Sequence, residues 1–269
     1  MNTVNRRKRK QMNIFKQFIK SIYSPKDIST FRNQGMGKTF LYIFFLSVLS
    51  VLPLFINFVQ NFNNIYDDAV RIINEEVPDF SIQDGKLHTD INEPVIIEES
   101  GNSTFIIDST GQTTVDDVES NYDDTLAFLE YDVVINLNNQ TQTISYQQLG
   151  LEEMGRTEMQ QFLDFVGSVK SVIYAFSFIL FYLIQVAGQI ISITILALIG
   201  LILKNALKLN INYGHLWKLS TYAITLPTVF FMIMHFFHAI VPFASLINWT
   251  VMIIMLHLTM KEIPKTDID

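Results

Sequence analysis

Apolar and polar positions alternate along the chain on two very different length scales. Four blocks carry no Asp, Glu, Lys or Arg: Phe40 to Val59, Val172 to Leu203, Leu219 to Val241 and Phe243 to Met260. About 20 such residues in a helix cross roughly 30 Å of hydrocarbon, so each block predicts a transmembrane helix. The second could be split near Gly188 into two short spans, or read as one long helix, tilted or protruding, whose upstream part begins near Arg156. The first block has a longer apolar core than a secretory signal and lacks a small-residue cleavage site, so it reads as a retained anchor.

Between the first two blocks the period shortens to two. "DFSIQDGKLHT" places Asp84-Gly85 between alternating runs, a strong hairpin signal. Further strand pairs are predicted to turn at Gly101-Asn102 in "EPVIIEESGNSTFIIDSTG" and at Asn138-Asn139 in "DVVINLNNQTQTISY". The intervening "TVDDVESNYDD" suits a short helix capped by Thr114. Together these form a β-rich domain of roughly eighty to ninety residues, within the range that folds alone. Phe62 to Val77 extends the first membrane helix into it, and Arg156 to Val169 leads back out. Ahead of the first block, "MNIFKQFIKSIYSPKD" repeats Ile14, Phe15, Phe18, Ile19 and Ile22 at helical spacing with Lys16 and Lys20 among them. This predicts an interfacial helix held by lipid, with packing on a cytoplasmic partner as the alternative. Pro25 ends it. Met12 is a candidate start, which would leave "MNTVNRRKRKQ" as a basic extension.

Charge orients these elements. Residues 1–38 hold ten Lys or Arg against one acid, Asp27, whereas Asp67 to Asp164 has a balance of −19 in a chain of net −7. Positive loops stay inside, so the N-terminus is expected in the cytoplasm and the acidic domain outside. Lys204, Lys208, Lys218, Lys261 and Lys265 all fall inside only if Val172 to Leu203 crosses once, which favours the single long helix. The expected fold is thus an α-helical integral membrane protein with four transmembrane helices and a small β-rich extracytoplasmic domain inserted between helices 1 and 2. Its segments are 1–38, a basic stretch with the interfacial helix; 39–60, helix 1; 61–168, the acidic β-rich domain; 169–204, long helix 2; 205–217, a cytoplasmic loop; 218–241 and 242–260, helices 3 and 4; and 261–269, a cytoplasmic tail.

Candidate chemistry is sparse. Gly37-Lys38-Thr39 looks like the end of a phosphate loop, but the first glycine of that motif falls on Arg32, and an apolar helix follows instead of a soluble one. Gly35 and Gly37 therefore read as a joint and Lys38 as a cytoplasmic edge. The carboxylate pairs Glu98-Glu99, Asp116-Asp117 and Asp123-Asp124 lack the spacing of a calcium loop, and no nucleophile motif surrounds any serine. His235, His238 and His257 invite a metal reading that the opposite helix ends of His235 and His257 oppose. No cysteine is present, which removes thiol chemistry and disulfides. No cofactor and no nucleic-acid partner is expected, since the basic run 6–10 has a membrane surface within reach.

Polar residues within the apolar blocks are the remaining place to look for function, because they are costly unless partnered. Tyr182, Gln185, Gln189 and Ser192 follow one another along one face of helix 2. They can join a neighbouring helix, the preferred role, or line a pathway. Pro227 in "WKLSTYAITLPTVFF" should kink helix 3.

The stretches "FIKSIYSPKDISTFRNQGMGKTFLY", "PDFSIQDGKL" followed by "FIIDSTGQT", and "LWKLSTYAITLPTVFF" resemble an uncharacterised membrane-protein family of Gram-positive bacteria, some members of which are labelled maltodextrin utilisation proteins. The likeness runs from about Met12 to Lys261. It implies a multi-pass protein of the bacterial cytoplasmic membrane with both termini cytoplasmic, and a setting rather than a reaction. Expected partners are the lipid bilayer, anionic lipid at the cytoplasmic face, and a membrane protein or a second copy of the chain. Two functional readings follow. One is a non-enzymatic accessory or sensory component acting through the outer domain; the other is a small-solute transporter or homo-oligomeric channel.

Overall fold

The computed structural model of the protein describes residues 12–98, 103–137, 140–151 and 153–264. The basic run 6–10, the Gly101-Asn102 and Asn138-Asn139 turns and Lys265 lie outside them. The helices are α1 (Ile14–Tyr23), α2 (Pro25–Phe31), α3 (Met36–Arg71), α4 (Val115–Asn121), α5 (Arg156–Ala206), α6 (Tyr213–Ala223), α7 (Thr225–Phe236) and α8 (Ala244–Lys261). The strands are β1 (Phe80–Gln83), β2 (Lys86–Thr89), β3 (Val95–Glu98), β4 (Ser103–Ile107), β5 (Asp124–Phe128), β6 (Asp132–Leu137), β7 (Gln140–Ser145) and β8 (Glu153–Gly155). Two compact units result: a helical one of Met1–Val59 with Tyr174–Asp269, and a β-containing one of Gln60–Ile173.

Among the described residues, four helices are long and apolar enough to cross a membrane: Met36–Glu76, Arg156–Ala206, Tyr213–Phe236 and Ala244–Lys261. The long apolar block is one helix, since α5 runs 51 residues without a break. Helix α6 starts at Tyr213, so residues 213–217 are helical where a loop through 217 is expected. The third span does not merely kink: α6 stops at Ala223 and α7 restarts at Thr225. Pro227 explains the position. It has no N–H for the carbonyl four residues earlier, that of Ala223, and its ring crowds that same carbonyl. Pro53 removes one bond in the same way, yet α3 continues through it.

The bundle core joins Tyr42, Ile43 and Leu46 of α3 to Ile193, Leu196 and Ala197 of α5, Leu216 and Tyr222 of α6, and Leu256 and Met260 of α8. The short helix α2 belongs to it through Ile28 and Phe31. It opens with Pro25 at its first position, capped by Ser24 accepting from the Asp27 N–H at 3.3 Å, the arrangement in which a proline costs no hydrogen bond. Edge-on pairs Phe55–Phe178 and Phe58–Phe181, 5.1 and 5.3 Å between ring centres, extend the α3–α5 contact beyond the core.

In the second unit, β3-β4-β5-β6-β7 form one sheet and β2-β1-β8 another. The β1–β2 hairpin turns at Asp84 and Gly85 with φ of 53° and 72°, the left-handed pair that an Asp-Gly turn is chosen for. The other two expected strand pairs form as well, β3 with β4 and β6 with β7, both antiparallel. Unforeseen by the alternation is the parallel pairing of β4 with β5, which requires a crossover and receives it from α4. Thr114 caps α4 in a reciprocal box with Asp117. The register makes Ile106, Ala127 and Val134 direct partners on one face, where Val118 of α4 packs on them. Ile97, Phe105, Ile107 and Val133 line the opposite face and bury Ile82, Leu87, Tyr146 and the helix-end residues Ile72 and Ile73.

Candidate functional site

The expected polar face of α5 divides into three environments. Gln189 is buried; its Oε1 accepts from Ser47 Oγ at 3.0 Å and its Nε2 donates to Ser50 Oγ at 3.2 Å. It therefore joins α5 to α3, as amides in apolar bundles commonly do. Gln185, one turn earlier, instead lines a cavity of about 380 Å³. Tyr182 stacks on Phe178 with ring centres 6.5 Å apart, and Ser192 is half-buried; neither borders the cavity.

Besides Gln185, the polar lining of the cavity comes from Ser50 on α3, Thr228 and His235 on α7, and Ser245 and Asn248 on α8. Gln185, Thr228 and Asn248 are half-buried, whereas His235 and Ser245 are exposed at the mouth of the space. Thr228 donates back to Ile224 O at 2.8 Å and Ser50 to Leu46 O at 2.9 Å. The side chains of Gln185, His235, Ser245 and Asn248 have no hydrogen-bond partner among the described residues. Among the described residues no Asp, Glu, Lys or Arg borders the space. Sequence reasoning found Gln185 but missed Ser47, Ser50, Ser245 and Asn248. The available signal was a polar residue inside an apolar block, and hydroxyls that can bond back to their own helix blur it.

A second polar network lies around the α6–α7 break. Tyr42 Oη and Thr225 Oγ1 are 2.7 Å apart, and Tyr222 Oη donates to Gln17 Oε1 at 3.2 Å. Gln17 Nε2 in turn donates to Gln34 Oε1 at 3.0 Å, and Gln34 Nε2 to Tyr222 Oη. This network docks α1 onto the helical unit by its polar residues. Gln17 and Ser21 are buried, whereas Phe15 and Ile19 are 63% and 54% exposed. Of the remaining stripe, Ile14 and Phe18 pack partly against the core and Ile22 is half-buried. Phe15 and Phe18 still meet Phe45 of α3 edge-on, 5.3 and 5.6 Å between ring centres, so α1 is held by Gln17 and Ser21 together with part of its apolar stripe.

In the β-containing unit, two carboxylates have local duties. Asp117 serves the α4 cap. Asp108 is fully buried and accepts from Thr110 Oγ1 at 2.6 Å, Thr110 N at 2.7 Å and Thr113 N at 2.6 Å. Burial opposes its charge, but these hydrogen bonds outweigh burial and hold its pKa below the ordinary carboxylate value. His88 lines a depression of about 220 Å³ with Asp79 and Asp90. Among the described residues no group of three His, Asp or Glu side chains could hold a metal ion.

The helical rods that enter this unit are tied to each other there. Lys170 lies over the Tyr66 ring, 3.5 Å from its centre, and Tyr66 Oη donates to Leu163 O at 3.1 Å. Gln160 Nε2 donates to Asn74 Oδ1 at 2.7 Å. A Cβ at Gly167 would collide with the Tyr66 hydroxyl, so glycine leaves room for the Tyr66 side chain to lie against α5.

Four membrane-length apolar helices together with a small β fold define a multi-pass helical membrane protein. Within that class the chain belongs to the family described as protein of unknown function (DUF1189), whose model matches residues 15–260. No curated protein and no solved structure matches it.

Proposed function

We propose that the protein is a non-enzymatic accessory or sensory component of the bacterial cytoplasmic membrane. In this reading both termini are cytoplasmic, anionic lipid holds the basic N-terminal segment, and the β fold stands outside, where it docks on a membrane-protein partner. The charge division supports the orientation, with ten basic residues in 1–38 and a balance of −19 over Asp67 to Asp164. The resemblance to proteins labelled for maltodextrin utilisation supports a sugar-uptake setting.

The observation that carries the reading is helical continuity. Helix α3 extends through a π-helical turn (Ile72–Glu76), closed by Val77 N donating to Ile72 O at 3.0 Å, and α5 begins directly after β8. Both helices then supply the apolar unit without interruption. Tyr66, Gly167 and Lys170 tie the two helices to each other within the β-containing unit, so a docking event there acts on both helices at once. Photo-reactive residues at Asp116 and Gln142, cross-linked in native membranes, test this. A stoichiometric membrane-protein adduct is expected from both positions; self-adducts alone would overturn the reading.

One observation favours a small-solute transporter or homo-oligomeric channel as the second reading: Gln185 borders a cavity instead of packing. Replacing Gln185 and Gln189 by Leu abolishes solute uptake on that reading and leaves the adduct intact on the first.

A further inference from the structure

Beyond docking by the β fold, we infer that the cavity between α3, α5, α7 and α8 is a binding site for a small, neutral, polyhydroxylated solute. The lining explains the class. Gln185 and Asn248 each offer an amide donor and a carbonyl acceptor, Ser245 offers a hydroxyl that does both, His235 offers one of each when neutral, and Ser50 and Thr228, whose protons go to Leu46 O and Ile224 O, offer oxygens that accept. A vicinal hydroxyl also donates and accepts, so such a lining pairs with several at once. A charged ligand finds no counter-charge among the described residues, since no Asp, Glu, Lys or Arg of these borders the space, and an unpaired ion away from water is costly.

Gln185, His235, Ser245 and Asn248 have no protein partner among the described residues; His235 and Ser245 are exposed and Gln185 and Asn248 half-buried, so their polar groups are free to meet those of a solute. A volume of about 380 Å³ is room for roughly a dozen waters at the ~30 Å³ each takes in the liquid, and covalently bonded atoms sit closer than separate waters, so a six-carbon polyol or a pyranose fits with space to spare. The cavity sits where α7 ends and α8 begins: His235 is one residue before the end of α7, and Ala244 and Ser245 are the first two residues of α8. No side chain caps α8, leaving backbone N–H groups of its first turn as further donors for hydroxyl oxygens.

The test uses the full chain in lipid nanodiscs, with glycerol, erythritol, sorbitol and glucose as probes. Because the chain has no cysteine, Ser245→Cys gives a single reactive position inside the site. Its labelling by a small neutral methanethiosulfonate should slow at least about five-fold in saturating sorbitol or glucose, and less in glycerol. Radiolabelled binding of the protecting solute should weaken at least about ten-fold in Gln185→Leu and in Asn248→Leu, with thermal unfolding unchanged as the check on folding. Equal labelling rates with every probe would overturn the inference and leave the cavity to water. Protection that survives both Leu variants would overturn it too. Adducts from Asp116 and Gln142 are scored in the same variants, so a failure of this site is distinguishable from a failure of docking by the β fold.

Discussion

At the scale of single residues, two buried polar groups do opposite things for the same reason, that an unpaired polar atom away from water is expensive. Asp108 keeps its charge because Thr110 and Thr113 supply three donors to it. Its depressed pKa means its contribution to stability is fully present above the ordinary carboxylate value, about 3.9, and is lost as pH falls through the lower folded value. Asp108→Asn puts an NH2 against donors, so it should cost about 1–3 kcal/mol at neutral pH and flatten the acid limb of the unfolding curve. Thermal melts of the two proteins across acidic pH, followed by circular dichroism, check both effects. Gln189 holds two helices together through Ser47 and Ser50. Gln189→Leu should destabilise the protein by about 0.6–2 kcal/mol, the range measured for interhelical polar bonds in bilayers. Denaturation in mixed micelles measures this.

At the scale of elements, α1 is the most informative. The apolar stripe read from its sequence is present, yet the bundle takes hold of Gln17 and Ser21 and leaves Phe15 and Ile19 outward. Spacing alone shows that two faces differ; it does not say which one the neighbours want. Here the neighbours are Tyr222 and Gln34, which need polar partners. A fluorophore on Ile19→Cys should therefore be quenched by nitroxide lipid, and one on Lys26→Cys, exposed on α2, should be quenched much less. Equal, weak quenching at both would mean that α1 stands in water. The third span teaches the same lesson about backbone. Pro227 announces a defect, but the helix fails three residues earlier, at Ile224, because a proline acts on the carbonyl one turn behind it.

At the scale of the whole molecule, the charge division predicts which segments share a side of the membrane. With no native cysteine, an impermeant thiol reagent applied to intact cells should label Gln142→Cys on β7 and miss Asn210→Cys between α5 and α6. Labelling of Asn210→Cys alone would reverse the orientation. The two sites report on each other, so a uniformly leaky or uniformly sealed preparation is recognised at once.

What the sequence alone determined is local or additive. The four apolar blocks follow from length against bilayer thickness, the Asp84-Gly85 hairpin from backbone conformations that glycine tolerates, and the Thr114 cap from a side chain that reaches its own helix. Each depends on residues adjacent in the chain. The tertiary structure alone decided the rest: that β4 and β5 run parallel, that Gln189 finds serines while Gln185 meets a cavity, and that Ser245 and Asn248 join Gln185 there. In each case the partner is far away in the chain, and a polar residue facing inward looks the same in sequence whether a hydroxyl or open space awaits it.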